Sequence, residues 1–161
     1  FLKSIENKDS SIVVILDSIT DPHNVGAIIR SCDQFGVDLV VLPERRGASE
    51  SEIIGRSSAG ASAWVQTSVV SNLVRTVEKL KEAGFWIYGA DAGGETAGQT
   101  SLQGKIALVM GSEGSGISRL LEEKCDKIIS IPTCGKLDSL NVSVACGILL
   151  YEIKRQSMQQ N

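Results

Sequence analysis

The chain has 161 residues, of which 42% are hydrophobic and 22% charged, and its formal net charge is −3. This length suits one domain with a buried core, and the composition is typical of a globular protein. No apolar run approaches the roughly 20 residues that a membrane span needs. The acidic balance argues against a surface that is basic throughout, as nucleic-acid-binding proteins often have.

The cysteines and the histidine do not form a metal site in the sequence. No two of the four cysteines make a C-x-x-C pair, and the single histidine, His23, is remote from all of them. We therefore predict no metal and no disulfide framework, but buried free thiols in a reducing cytoplasm. The cysteines are Cys32, Cys125, Cys134 and Cys146.

Strand and helix signals alternate from the start of the chain. The apolar run at residues 12–16 predicts a buried strand. Asp21 and Pro22 then supply an N-cap and a first-turn proline for a helix that ends at Gly36. Residues 38–42 predict the second strand.

The same alternation continues to the end. A short helix around residues 50–56 precedes a strand near residues 64–67, and Ser71 or Asn72 caps the next helix. Further strands are predicted at residues 85–88 (ended by residues 89–91), 106–110 and 127–131, and helices at residues 118–124 and from Asp138 or Ser139 to about Gln156. This pattern implies βαβ units. We predict one α/β domain over residues 1–161, with a mostly parallel six-stranded sheet and helices on both faces.

Ligands bind beyond the carboxyl ends of the strands in such sheets, and three loops there are unusual. The first is DPHNVGAIIR, residues 21–30. A capped helix start explains Asp21 and Pro22, but not Gly26, because a glycine inside a helix costs about 1 kcal/mol relative to alanine. Nor does it explain Arg30, whose five N–H donors suit phosphate or a carboxylate. An ordinary helix start and a binding loop both remain open.

The second loop is GSEGSG, residues 111–116, directly after a predicted strand. Its spacing is not that of the dinucleotide fingerprint, and no Walker lysine follows. Glu113 would repel phosphate, so a plain phosphate cradle is disfavoured. A tight strand-to-helix turn and a loop that lets a ligand approach the backbone remain the two alternatives.

The third loop is IPTCGKLDSLNVSVA, residues 131–145. An N-cap at Asp138 or Ser139 accounts for part of it. The small and polar residues that follow are not accounted for, because Asn141 suits a buried face only when it is hydrogen-bonded.

Together the three loops resemble the signature motifs of the SpoU/TrmH family of RNA ribose 2′-O-methyltransferases, in the SPOUT superfamily. The resemblance covers residues 12–155. Within the family, residues 56–63 and 71–80 are most similar to enzymes that methylate a guanosine of large-subunit (23S) rRNA, with tRNA enzymes as the alternative. The resemblance implies S-adenosylmethionine as cofactor, RNA as substrate, a homodimer and a C-terminal trefoil knot.

The resemblance also implies the site residues. The catalytic group carries over as Asn24, Arg30, Glu113, Ser139 and Asn141. The cofactor-binding positions carry over as Ala90, Gly111, Ile131 and Leu140. In the family Arg30 is the proposed activator of the hydroxyl, held by Glu113. Deprotonating a group of pKa above 12 costs about 7 kcal/mol, so alkoxide stabilisation by Arg30 is an equal alternative to proton abstraction.

Four arginines are candidates for binding RNA, namely Arg45, Arg46, Arg56 and Arg119. Two interpretations remain open: they form a local basic rim, or they are ordinary solvated side chains. Because the chain is acidic and begins with Phe1 rather than Met, we expect a fragment that lacks an N-terminal RNA-binding domain.

A non-catalytic RNA-binding protein and a Rossmann-type oxidoreductase are the competing classes. Intact motifs count against the first and the glycine spacing against the second.

Overall fold

The computed structural model describes residues 1–45 and 64–159 of the chain. Within these residues, six strands alternate with four α-helices. The strands are β1 (Ser11–Leu16), β2 (Leu39–Pro43), β3 (Thr67–Val70), β4 (Trp86–Thr96), β5 (Lys105–Met110) and β6 (Lys127–Ser130). The helices are α1 (Pro22–Phe35), α2 (Leu73–Glu82), α3 (Arg119–Glu122) and α4 (Val142–Met158), with 3₁₀ turns at Leu2–Ile5 and Ala97–Gln99. The helix predicted around residues 50–56 lies outside the described residues.

The strands form one sheet in the order β3-β2-β1-β5-β4-β6, and every neighbouring pair is parallel. Alternate side chains of β1 point to opposite faces. Val14 packs against α1 and α4, whereas Ile15 packs with α2 and α3 on the other face. Both faces of the sheet are therefore buried, which explains the continuous aliphatic strands. The predicted α/β class, with a parallel six-stranded sheet between helices, is confirmed.

Aspartates set the register where two of the strands begin. The Asp38 N–H donates to the Ile12 carbonyl at 2.8 Å, and the Ile12 N–H donates back to the Asp38 carboxylate at 2.9 Å. Asp126 makes the same exchange with Ile87, at 2.7 and 2.8 Å. Although burial raises the pKa of Asp38, hydrogen bonds from Ile12, Ser11 and Lys8 hold it below its ordinary value. These paired bonds join the starts of β2 and β6 to the neighbouring strands β1 and β4.

The fourth strand continues further than the sequence predicts. Residues 89–91 were expected to end it, yet β4 extends to Thr96. Its pairing with β5 ends at Gly89, and its pairing with β6 is interrupted and then resumes. Ala90 and Glu95 both lie opposite Ile129, so the residues between them form a bulge beside the end of β6.

The structure shifts the predicted start of β3 and selects one of the two predicted caps of α2. β3 begins at Thr67, level with Val40, rather than near Trp64, whose side chain is 82% exposed. Of the two candidate caps of α2, Asn72 performs the role, because its side-chain oxygen accepts from the Arg75 N–H at 2.9 Å.

The start of the last helix was predicted too early. Asp138 or Ser139 was the expected N-cap, but α4 begins at Val142 and Asn141 caps it. The Asn141 side-chain oxygen accepts from two backbone N–H groups of the first turn, which is the usual capping interaction. Asn141 therefore precedes the helix rather than lying inside it.

Gln156 joins the end of α4 to the segment between β4 and β5. Its side chain is buried, and its Oε1 accepts from the Leu102 N–H at 2.9 Å. Its Nε2 donates to the Thr100 carbonyl at 3.0 Å and to Glu152 at 2.8 Å. The helix is thus bonded to a segment that is remote in sequence.

We expect Gln156→Leu to lower the free energy of unfolding by about 1–3 kcal/mol, because it leaves the buried Leu102 N–H without an acceptor. Urea denaturation measures this. Gln159→Leu makes the same chemical change at an exposed position of the helix C-cap and should have little effect. Equal losses in the two variants would contradict a specific role for the Gln156 hydrogen bonds.

Candidate active site

A cavity of about 390 Å³ opens at the carboxyl ends of β5 and β6, beside the bulge of β4. This volume lies within the usual range for small-molecule sites. Its walls come from residues 90–92, 110–116, 129–131 and 138–140, with part of α4 behind them. The cavity therefore lies where the parallel sheet predicted a ligand site, and the second and third unusual loops line it.

Each position expected to bind the cofactor lies on this cavity. Ala90, Gly111, Ile131 and Leu140 come from four different segments and all are lining residues. Gly111 cannot carry a side chain, because a Cβ there would overlap the backbone of Gly116 and Ile117. The turn after β5 can therefore close tightly beside the cavity.

That turn is a closed loop and not an open anion cradle. The Ser112 N–H donates to the Gly116 carbonyl at 3.2 Å, and the Gly116 N–H donates back at 2.9 Å. The hydroxyls of Ser112 and Ser115 lie 2.8 Å apart, and Gly116 has a φ of 67°, which favours glycine. The loop thus satisfies these two N–H groups itself and presents Glu113 near its tip.

Sequence reasoning missed the anchor of this loop, Asp17. Its side chain is buried at the end of β1, and its Oδ2 accepts from the Ser118 N–H at 2.6 Å. Its own N–H donates to the Met110 carbonyl at 2.8 Å. The only signal was a carboxylate placed directly after a buried strand, which does not reveal a partner so remote in sequence.

Three of the five expected catalytic residues form one hydrogen-bonded network. The Asn141 Nδ2 donates to Glu113 Oε1 at 2.8 Å and to Asn24 Oδ1 at 3.0 Å. The same Glu113 oxygen accepts from the Val142 N–H at 3.1 Å. The network joins the start of α1, the turn after β5 and the first turn of α4, so it brings the three unusual loops together.

The other two expected catalytic residues are not part of this network. Ser139 is exposed and lines the cavity. Arg30 is exposed on α1 and makes no hydrogen bond or ion pair with another residue in the described ranges. The Glu113 carboxylate bonds to Asn141 and Val142, so the expected Arg30–Glu113 contact is not present.

The arginines considered for an RNA-binding rim differ in environment. Arg45 donates to the Ile19 carbonyl at 2.7 Å and to the Thr20 carbonyl at 3.1 Å, which holds the loop before α1. Arg119 is exposed and lies 3.7 Å from Glu123. Arg46 and Arg56 lie outside the described residues.

The four thiols are free, as predicted, but not all are buried. Cys32 and Cys146 lie in the core between α1 and α4, and burial raises the pKa of Cys146 to about 12. Cys134, in contrast, is exposed, and Cys125 is partly buried against the core cluster on the α2 and α3 face. In the described part of the chain, no three His, Cys, Asp or Glu residues are grouped so as to hold a metal, and no helix there could cross a membrane.

The chain belongs to the SpoU rRNA methylase family, whose model matches residues 11–151. It is 44% identical, over 96% of its length, to an uncharacterized tRNA/rRNA methyltransferase of Borreliella burgdorferi, of which it covers 68%. Across several curated relatives, the chain spans between 40% and 68% of their length.

Two solved structures are also similar. The methyltransferase AviRb of Streptomyces viridochromogenes, determined in complex with the cofactor AdoMet, superposes with a TM-score of 0.83 at 28% identity, covering 98% of this chain and 62% of that one. A TrmH/SpoU tRNA-modifying enzyme of A. aeolicus gives 0.83 at 32% identity, covering 99% and 83%. These enzymes carry the same fold.

We expect Asn141→Asp to destabilise the domain by about 1–2 kcal/mol at neutral pH, because it places a second carboxylate against Glu113. The helix cap should survive, since aspartate caps as well as asparagine. Urea denaturation of this variant gives the loss.

The double variant N141D/E113Q tests the contact itself. Glutamine at 113 can donate to the new carboxylate and still accept from the Val142 N–H. We expect it to recover at least about 1 kcal/mol relative to additivity of the single variants. Strict additivity would show that the Asn141–Glu113 hydrogen bond does not couple the loops.

Proposed function

We propose that this protein transfers a methyl group from S-adenosylmethionine to a ribose 2′-hydroxyl of RNA. The observation that carries the proposal is the placement of the cavity. It opens at the strand ends, directly beside the network of Asn24, Glu113 and Asn141. One small-molecule pocket and one polar cluster for a second reactant are what methyl transfer between two substrates requires.

The residues that line the cavity fit this cofactor. Ala90, Gly111, Ile131 and Leu140 line the space from four segments, and the missing side chain at Gly111 lets the turn after β5 close beside it. AviRb, which shares the fold, was solved with AdoMet. The cofactor supplies a methyl group already activated by a sulfonium, so the protein has to orient it and prepare the ribose oxygen.

Arg30 is the group that we assign to the ribose hydroxyl. An arginine side chain offers N–H donors and no acceptor, which favours stabilising the developing alkoxide over removing the proton. Glu113 and Asn141 bond to each other, so they position the loops around the substrate. Ser139, on the rim of the cavity, and Asn24 complete the ribose and phosphate contacts in this proposal.

The RNA substrate is proposed to be ribosomal, with a guanosine of the large subunit as the target. The description of the matching family supports rRNA. The alternative is tRNA, because relatives are described as tRNA/rRNA methyltransferases and the A. aeolicus enzyme as tRNA-modifying. Mapping 2′-O-methyl sites in rRNA and tRNA from cells with and without the full-length gene distinguishes the two.

We further propose that an additional RNA-binding domain acts with residues 1–161 in the cytoplasm. The greater length of the curated relatives supports this. The net charge of −3 supports it too, because the catalytic domain alone offers little attraction for phosphates.

A trefoil knot is expected from the family. In this chain the segment between β6 and α4 would pass through the loop between β4 and β5. The bonds from Gln156 to Leu102 and Thr100 are contacts that such threading would bring about. Knots are rare in protein chains, and the family membership is the main support for this one.

The competing classes make different predictions for binding. A non-catalytic RNA-binding relative need not bind S-adenosylmethionine, and a Rossmann-type oxidoreductase would bind NAD. Calorimetry with each compound separates the three classes. Binding of NAD without binding of S-adenosylmethionine would overturn the proposed function.

We expect Arg30→Ala to lower methyl transfer by at least about 100-fold while leaving the affinity for S-adenosylmethionine nearly unchanged. Transfer of labelled methyl to RNA and calorimetry measure the two effects. Arg75→Ala, an exposed arginine on α2 at the opposite face of the sheet, is the matched control. Unchanged turnover in the Arg30 variant would remove Arg30 from the mechanism.

The proposed homodimer has a candidate surface on α4. Four large apolar side chains lie in one exposed stripe at helical spacing, namely Val144, Ile148, Tyr151 and Met158. Tyr151 also packs edge-on against Phe35 of α1, with ring centroids 6.3 Å apart. Contiguous exposed apolar surface of this kind marks association sites.

We therefore expect Ile148→Asp to convert a dimer into a monomer in sedimentation experiments, because it places a charge in the centre of the stripe. Leu120→Asp changes an exposed leucine on α3, on the other side of the sheet, and should leave the dimer intact. A dimer that persists in the Ile148 variant would exclude this face.

A further inference from the structure

The cavity has a marked charge asymmetry. Three carboxylates line it, those of Asp91, Glu113 and Asp138, and its described lining includes no lysine, arginine or histidine. Hydroxyl groups, backbone and aliphatic side chains make up the rest. A ligand in this space therefore meets negative charge without a compensating cation from the lining.

The three carboxylates differ in what they already bind. One oxygen of Glu113 accepts two hydrogen bonds from the start of α4. Asp138 is exposed in the segment before α4 and makes no hydrogen bond with another described residue. Asp91 lies in the bulge between β4 and β6, beside the proposed cofactor position Ala90.

Asp91 is exposed beside the cavity, and one described hydrogen bond orients its carboxylate. Its Oδ1 accepts from the Gly93 N–H at 3.0 Å, which closes a local turn. Its Oδ2 lies 3.6 Å from the point where a Cβ on Gly116 would stand, so the carboxylate points across to the glycine-rich turn. Within the described residues Oδ2 has no hydrogen-bond donor, so one negatively charged oxygen remains for a ligand.

Methyl transfer changes the charge of the bound molecule. S-adenosylmethionine has a positive sulfonium, a positive amino group and a carboxylate, so its net charge is +1. Once the methyl group has left with the ribose oxygen, the sulfur is a neutral thioether and the net charge is zero. A fixed carboxylate near the sulfur therefore stabilises the cofactor more than the product.

We propose that Asp91 Oδ2 lies beside the sulfonium of the bound cofactor and makes the cavity prefer this cofactor to its neutral thioether product, so that Asp91 is a specificity-determining residue. The inference rests on the proposed function, since it names which charge state of that ligand the site selects. As a consequence, methyl transfer lowers the affinity of the site for the bound molecule. The product is then released more readily and replaced by new S-adenosylmethionine.

Calorimetry on Asp91→Asn tests the assignment with three probes. S-adenosylmethionine and S-adenosylhomocysteine differ in the sulfonium, and sinefungin carries an amine in its place. We expect the preference for S-adenosylmethionine over S-adenosylhomocysteine to fall about 5- to 10-fold, through weaker binding of the cation. Sinefungin should weaken in parallel, and added salt should reduce the difference in the unmodified protein.

Asp33→Asn, an exposed aspartate on α1 away from the cavity, is the matched control and should leave the preference unchanged. Equal weakening of all three probes in the Asp91 variant would overturn the inference, because it would mean a contact to a group that they share. An unchanged preference would overturn it as well. If the unmodified protein bound none of the probes, the proposed function would fail with it.

Discussion

One carboxylate oxygen holds the candidate site together. Glu113 Oε1 accepts from the Asn141 side chain and from the Val142 backbone, so the turn after β5 is bonded to the first turn of the last helix. Asn141 then reaches Asn24 at the start of α1. The three segments are far apart in sequence, and this oxygen accepts the described hydrogen bonds that join the turn after β5 to the start of α4.

Further hydrogen bonds hold the segments that carry this network in place. Asp17 holds the far side of the glycine-rich turn, and the mutual bonds of Ser112 and Gly116 close that turn. At the other end of the molecule, Gln156 holds the C-terminal part of α4 to the β4–β5 segment. A helix fixed at both ends presents its N-terminal cap at a defined place, and the cap is the residue that bonds Glu113.

Local patterns sufficed for most of the architecture but not for these supports. Aliphatic runs and helix caps predicted the alternating elements, and the rule for parallel sheets placed the site at their carboxyl ends. The start of α4 was misplaced because Asp138, Ser139 and Asn141 are all good caps by type. Only contact with Glu113 selects among them. Asp17 and Gln156 act on partners so distant along the chain that no local signal could reveal them.

The site is organised by neutral donors rather than by cations, and this has a consequence for charge. Glu113 is satisfied by an amide and a backbone N–H, so its negative charge is not cancelled. With Asp91 and Asp138 on the same cavity, the most favourable positive charge there is one that the ligand brings. In the proposed function, Arg30, which lies outside the cavity lining, serves the anionic substrate. A sulfonium cofactor and a polyanionic RNA could thus meet at one site without competing for the same side chains.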